Sequence, residues 1–218
     1  MKKPIIVFGN SDFSKLLSSY LLTEYEIAAY CVNEEYIKDS TFLDKPLVSF
    51  EKISQQFPNN KYDMIIAIGY NHMNTVREKI FKQVKELGYK LISYIHPSNL
   101  ISPSCYIGEN CIILENNIIQ PYVRIGDNVI IWSGSTICHE STIDDHVFIA
   151  SNVCINGKVT IKDHCFVGAS ATIRDNINIS SFSLIGCGCT ILHNSEPYSV
   201  YKSNNYQIIN ISSLDIII

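Results

Sequence analysis

Cys138-His139-Glu140-Ser141 is the segment of this chain best equipped for chemistry. Histidine is the side chain whose ordinary pKa lies nearest neutrality, so His139 is a candidate general base. Glu140 beside it supplies a carboxylate able to orient or tune the ring. Cys138 reads as a thiolate nucleophile only in isolation, since nothing distinguishes it from the repeat residues around it. A second pair, His146 and His164, lies 18 residues apart. Near the start, Gly9-Asn10-Ser11-Asp12 follows an apolar run and reads as a turn and helix N-cap, where free N–H groups attract phosphate. It is not a Gly-x-Gly-x-x-Gly loop, because only Gly9 is present, and it is not read as an NAD site.

A repeat must position His139. Every sixth residue from Ile101 to Ile191 is aliphatic, 16 in succession, and all are Ile except Val167. No helix has that period. A short strand followed by a corner does, because a strand alternates its side chains in and out. Two residues before each aliphatic sits a second inward position, mostly small or β-branched, as in Val129, Ser135, Val147 and Ala171. Gly108, Gly126, Gly168 and Gly186 follow the aliphatic, where a corner is expected to need glycine's torsional freedom. Repeats this short bury nothing alone and must stack on their neighbours. The pattern resembles the left-handed parallel β-helix of hexapeptide acyltransferases, a triangular prism with three hexads per coil. That resemblance places residues 18 apart at one corner of successive coils, ~4.8 Å apart. Gly157 then lies one coil beyond His139 and leaves space for a thioester ligand to approach the backbone. Lys158 lies one coil beyond Glu140, within reach of an ion pair.

The front of the chain is different. Pro4 to Phe8, Ile27 to Val32, Asp63 to Gly69 and Lys90 to Ile95 read as strands. Phe13, Leu16, Leu17, Tyr20 and Leu21 recur at helical spacing, as do Val76, Ile80, Phe81 and Val84 in a helix over about Asn74 to Leu87. Strands alternating with helices argue for a small parallel α/β unit. Its ligands would sit at the carboxyl ends of the strands, at Gly9 to Ser11, Asn33 to Glu35 and Gly69 to Asn71. The expected division is 1–96 for this unit, 97–192 for the β-helix and 193–218 for a tail, with the first boundary at His96-Pro97.

Composition narrows the partners. The 218 residues carry a net charge of −4 without a basic run, which argues against nucleic acid. The longest apolar stretches are too short to span a membrane. The run Ile5 to Phe8 is cut by Gly9-Asn10, so no signal peptide is read. Four of the eight cysteines (Cys105, Cys111, Cys165, Cys189) occupy the small inward position, where Cys acts as a small hydrophobe. All eight are read as reduced and the protein as cytoplasmic.

An α/β unit, a His-Pro junction and uninterrupted hexads bearing a His-Glu pair resemble the sialic-acid O-acetyltransferase and nucleotide-aminosugar N-acetyltransferase family, with its bacillosamine-, perosamine- and viosamine-pathway members. The resemblance covers about residues 4–192. It rests on Ile5-Ile6-Val7-Phe8-Gly9, Ala67-Ile68-Gly69-Tyr70-Asn71 with Arg77, Ile95-His96-Pro97-Ser98, Ser135-Thr136-Ile137-Cys138-His139-Glu140 and Ile155-Asn156-Gly157. It implies a Rossmann-like front domain holding a nucleotide-linked amino sugar through Gly9, Asn10, Ser11, Asn33, Gly69 and Tyr70. It implies His139 as general base with Glu140 its neighbour, and a homotrimer with acetyl-CoA between adjacent prisms, approached at Gly157, Ala169 and Gly188. The implied activity is acetyl-CoA-dependent N-acetylation of an amino-deoxy sugar in surface-polysaccharide synthesis, such as that of an O-antigen lipopolysaccharide.

The chain departs from the family pattern in places. The front loop, Asn10-Ser11-Asp12-Phe13, is poorer in Gly and Ala; Trp132 stands where Asn is common and is expected to line the acceptor pocket. The tail Val200-Tyr201-Lys202-Ser203-Asn204-Asn205 lacks the usual Gly-x-Pro-Ala-Lys ending. Because no insertion interrupts the hexads, the α/β unit is expected to cover the acceptor. Alternatives are O-acetylation of sialic acid or a related sugar, a nucleotide-sugar-binding scaffold without catalysis, and a zinc lyase like the carbonic anhydrases that share the prism. A catalytic zinc needs three protein ligands. No third histidine has the spacing of His146 and His164, although a second subunit could supply one. The preferred reading is a solvated histidine ladder and no metal.

Overall fold

The computed structural model describes residues 2–203, so Asn204-Asn205 and the apolar ending Asp215-Ile216-Ile217-Ile218, expected to pack, lie outside the described residues. The front unit runs β1 (Ile5–Phe8), α1 (Asp12–Leu21), β2 (Ile27–Val32), β3 (Thr41–Phe42), β4 (Lys45–Ser49), α2 (Ile53–Gln56), β5 (Asp63–Ile66) and α3 (Thr75–Glu86). Its sheet has the order β3-β4-β2-β1-β5, and every pairing is parallel except the β3–β4 hairpin. All residues of β1 and β5 are buried, as expected of parallel strands covered on both faces. The hairpin has no Asn-Gly signal. Leu43 and Asp44 take φ of 48° and 58° at its turn, which the sequence does not advertise. The strand expected from Lys90 to Ile95 does not form as one element. Leu91 makes a single bridge to Met64, and Tyr94–Ile95 pairs with Ile112–Ile113 in the repeat.

From there the hexads build three parallel sheets of six, five and seven two-residue strands. Within the hexads each strand pairs with the one 18 residues later, as in Ile118↔Thr136 and Ile119↔Ile137, and Val200–Tyr201 closes the seven-stranded sheet on Leu184–Ile185. The result is a three-sided parallel β-helix, consistent with the left-handed prism. Its interior is filled by the aliphatic ladder and the small positions, with Ile113 to Ile185 almost wholly buried. From Ile107 to Ile185 the residue three beyond each aliphatic carries the corner's positive φ, as in 59° at Asn128, 59° at Glu140, 61° at His146 and 60° at His164. Gly108, Gly126 and Gly168 are not at that position, so torsional freedom is not why they are glycine. They meet the next coil: a Cβ at Gly108 would sit 2.7 Å from the Gly126 carbonyl, and one at Gly168 would sit 2.6 Å from the Cys187 nitrogen.

The outward positions are Tyr106, Arg124, Thr142, Thr160 and Asn178 on the five-stranded face, and Leu100, Ile118, Thr136, Cys154, Thr172 and Thr190 on the six-stranded face. On the seven-stranded face they are Ile112, Ile130, Phe148 and Phe166, and these pack with Ile5, Val7, Leu17 and Tyr94 of the preceding residues into one apolar cluster. The front unit therefore docks on that face. Burying each such side chain contributes roughly 1.5–3 kcal/mol. Ile149→Ala, which empties an inward position, should cost about 2–5 kcal/mol in chemical denaturation, whereas the outward Thr142→Ala should stay within about 0.5 kcal/mol.

Candidate functional site

The prism has three edges, and the docked front unit makes them unequal. His139 lies on the edge opposite the docking face, between the six- and five-stranded faces. Its N–H donates to Gln120 Oε1 at 3.0 Å. Its Nδ1 lies 3.3 Å from Glu140 Oε1, and Glu140 Oε2 lies 3.8 Å from Lys158 Nζ. Glu140 thus meets both of its expected partners, one with each oxygen. With Nδ1 donating to the carboxylate, Nε2 keeps its lone pair. That nitrogen sits over Gly157, where a Cβ would come within 2.7 Å of it. Only glycine leaves room for the ring. The Gly157 N–H has no hydrogen-bond partner among the described residues. An open cavity of about 490 Å³ surrounds the ring and is lined also by Gln120, Asn156, Lys158 and Asp175. Its lining is drawn wholly from the repeat, so within a single chain the front unit does not cover His139. Gln120, Asn156 and Asp175 are not singled out by the sequence, yet their spacings from His139 place the first two one coil away and Asp175 two coils on.

A second cavity, about 340 Å³, opens at the carboxyl ends of β1, β2 and β5. Gly9, Asn10, Ser11, Asn33 and Gly69 line it together, with Tyr36, Val76 and Ile80. Gly9 has φ of +133°, and a Cβ there would lie 2.8 Å from the Ala67 carbonyl oxygen, so the loop requires glycine. Tyr70 is outside this lining; its ring packs edge-on to Phe148 and tilted on Phe166. Trp132 lines neither cavity. It stacks on Phe13 of α1 at 6.0 Å in the apolar cluster between front unit and prism. Gly157, Ala169 and Gly188 are not brought together either. Gly157 shares the His139 edge, whereas Ala169 and Gly188 are bonded to each other (N–H to carbonyl, 2.8 Å) on the edge that carries Trp132. Gly188 lines a separate cavity with Tyr201 and Lys202.

The third edge is buried under α3. Arg77 is fully buried without a carboxylate partner. It donates to the carbonyls of Gly69 (2.6 Å), Asn128 (3.1 Å) and His146 (3.2 Å) and to Asn74 Oδ1 (3.0 Å). Burial pushes its pKa down to about 9, so the guanidinium stays charged at neutral pH. Asn74 donates to the His164 and Cys165 carbonyls. His146 and His164 are neighbours on this edge, with ring centroids 5.0 Å apart, but the rings are tilted at 51° rather than stacked, and they are not a solvated ladder. Both are buried and face Glu78 of α3. No repeat spacing points to this third group, because Glu78 lies outside the repeat. Burial first, then the neighbouring His164, pulls the His146 pKa down to about 4. Burial raises the Glu78 carboxyl, but hydrogen bonds from Lys82 and His164 outweigh it and hold the pKa below its ordinary value.

Comparison with known proteins bears on this geometry. The sequence profile of the GMPPB C-terminal domain matches residues 91–194. The acetyltransferase domain of PglB from Neisseria gonorrhoeae FA1090 superposes with a TM-score of 0.81 at 20% identity, covering 91% of this chain and 96% of that one. The same domain in complex with acetyl coenzyme A gives 0.77 at 21% identity, covering 88% and 93%. A His-to-Asn variant of perosamine N-acetyltransferase from Caulobacter crescentus, in complex with CoA and GDP-perosamine, gives 0.79 at 20% identity, covering 89% and 90%. This chain shares the fold of these sugar N-acetyltransferases over nearly its whole described length. No helix among the described residues is long and apolar enough to cross a membrane.

Gly157→Ala should displace the His139 ring, seen as a changed imidazole environment by NMR, while stability falls by less than about 1 kcal/mol because the repeat backbone is unaltered. His146 predicts an acid limb. Its folded pKa lies below its ordinary 6.5, so its share of stability is full above pH 6.5 and is lost as pH falls towards 4. Denaturation midpoints measured across that window should decline in the wild type and decline less in His146→Gln.

Proposed function

We propose that this chain is an acetyl-CoA-dependent N-acetyltransferase acting on the amine of a nucleotide-linked amino-deoxy sugar, such as a 4-amino-4,6-dideoxyhexose, in the cytoplasmic synthesis of a surface polysaccharide. The observation that carries this reading is His139 Nε2 poised over Gly157 in an open cavity, with Nδ1 turned to Glu140. The shared fold with proteins solved in complex with acetyl-CoA, or with CoA and GDP-perosamine, supplies the substrate classes.

The amine attacks the thioester carbonyl, forming the C–N bond. His139 Nε2 takes the proton released from nitrogen. The Gly157 N–H is free to donate to the oxyanion of the tetrahedral intermediate. Collapse breaks the C–S bond, and the thiolate leaves with the proton that His139 held. Glu140 keeps Nδ1 protonated so that Nε2 remains the base, and Lys158 holds the other carboxylate oxygen in place.

In this reading the front unit, residues 1–96, is Rossmann-like and holds the nucleotide through Gly9, Asn10, Ser11, Asn33 and Gly69. Residues 97–192 form the left-handed prism, and 193–218 the tail. The active assembly is a homotrimer with acetyl-CoA lying between adjacent prisms. His139 stands on the edge opposite the chain's own front unit, which supports an acceptor delivered by a neighbouring copy.

The test is incubation with acetyl-CoA and a panel of nucleotide-linked amino sugars, with free sialic acid included, reading acetyl mass increments. Transfer to an amino sugar is expected; transfer to sialic acid alone would make the chain an O-acetyltransferase. His139→Ala should cut turnover by ~10²–10⁴-fold and leave CoA binding by calorimetry within about twofold. Undiminished turnover in that variant removes His139 from the role of base.

A further inference from the structure

The edge beneath α3 holds three groups with metal-ligand chemistry: Glu78, His146 and His164 place one oxygen and two nitrogens within 4.8 Å of one another. Both imidazoles are buried. Zinc would be the ordinary expectation for such a triad. The hydrogen bonds behind it point the other way.

A chain of side-chain amides runs along the edge and fixes the proton on His146. The Ile66 N–H donates to Asn110 Oδ1 at 2.8 Å, which settles which end of Asn110 is oxygen. Asn110 Nδ2 must then donate to Asn128 Oδ1, at 2.7 Å. That leaves Asn128 Nδ2 facing His146 Nδ1 at 2.9 Å. An amide NH₂ only donates, so Nδ1 accepts and the ring proton sits on Nε2. Nε2 is the nitrogen turned to Glu78 Oε1, at 3.8 Å. A metal on Nε2 needs a bare lone pair there. Moving the proton to Nδ1 would set N–H against N–H. His164 is held from both sides, with Nδ1 2.8 Å from Asp163 Oδ2 and Nε2 3.1 Å from Glu78 Oε2. Lys82 Nζ takes Glu78 Oε1 at 2.6 Å. The carboxylate is ringed by donors. In known metal sites the second ring nitrogen donates to a carboxylate or carbonyl; at His146 that polarity is reversed.

We infer that Glu78, His146 and His164 form a metal-excluding, proton-based latch that fastens α3 to the prism edge and so holds one wall of the front cavity in register with the repeat. Val76 and Ile80 of α3 line that cavity, and Arg77 beside Glu78 pins Gly69, which lines it too. The latch polarity is set at Ile66 of β5 and passed through Asn110 and Asn128 across the junction of the two units.

Four measurements test this. In histidine-labelled wild-type protein, ¹⁵N shifts assigned with His146→Gln should show His146 protonated at Nε2 and bare at Nδ1; a proton on Nδ1 overturns the inference. Titration of the wild type with Zn²⁺ or Co²⁺ should reveal no stoichiometric site that disappears in His146→Gln; such a site overturns it. Asn128→Asp replaces the donor facing Nδ1 with an acceptor, so it should free Nε2 and raise His146-dependent zinc affinity by ~10–100-fold. A folded Asn128→Asp protein with no such gain overturns the inference. Hydrogen exchange in Glu78→Ala should quicken at least about tenfold in α3 relative to the prism, and unchanged α3 protection removes the latch.

Discussion

Each strand N–H along the prism must find a carbonyl on the neighbouring coil, and that requirement governs the rest of the molecule. Ile112 donates to Val129, Ile130 to Val147 and Phe148 to Cys165, each one coil on. A two-residue strand has no register of its own. It acquires one only because coils of constant length stack, and a single inserted residue would turn every following side chain to the other face. The same stacking brings backbone against backbone at the corners. Glycine is therefore required at Gly108 and Gly168 for lack of space, while the positive φ is carried three residues past the aliphatic by Asn, Glu, Lys and His.

That corner geometry separates three histidines of one repeat into two kinds. His146 and His164 occupy the positive-φ position, where they line the edge one above the other among other side chains and are buried by α3. His139 sits one residue earlier in its corner, with Glu140 taking the positive φ. Its ring instead reaches over the glycine of the next coil and stays about half exposed. One step along the hexad thus divides a histidine available for proton transfer from histidines committed to holding the structure together.

The docking face imposes the second asymmetry. Ile112, Ile130, Phe148 and Phe166 turn one side of the prism into an apolar platform. At the adjoining edge a buried guanidinium, Arg77, is satisfied by carbonyls and an amide oxygen rather than by a carboxylate. Such an ion costs several kcal/mol to desolvate and is tolerated only when its donors are matched. The match comes from corner carbonyls, which the repeat presents at fixed intervals. Docking at this face leaves the His139 edge bare within one chain.

The sequence alone determined whatever is translationally regular. The aliphatic ladder implied the stacked coils, and its period set His139 over Gly157 and Glu140 near Lys158. Apolar runs located β1, β2 and β5, and helical spacing located α3. Gly9, Asn10, Ser11, Asn33 and Gly69 converge because strand ends in a parallel sheet share one side. What the tertiary structure decided is how the regular object meets the irregular one. Trp132 and Tyr70 went to the junction rather than to a cavity lining, Tyr94–Ile95 joined the prism rather than the front sheet, and Glu78 closed a triad with two histidines 68 and 86 residues away. A repeat encodes its own contacts at a fixed offset. Contacts between the repeat and a separate unit have no such offset, and they are set by which apolar face each presents and which buried polar groups can then be satisfied.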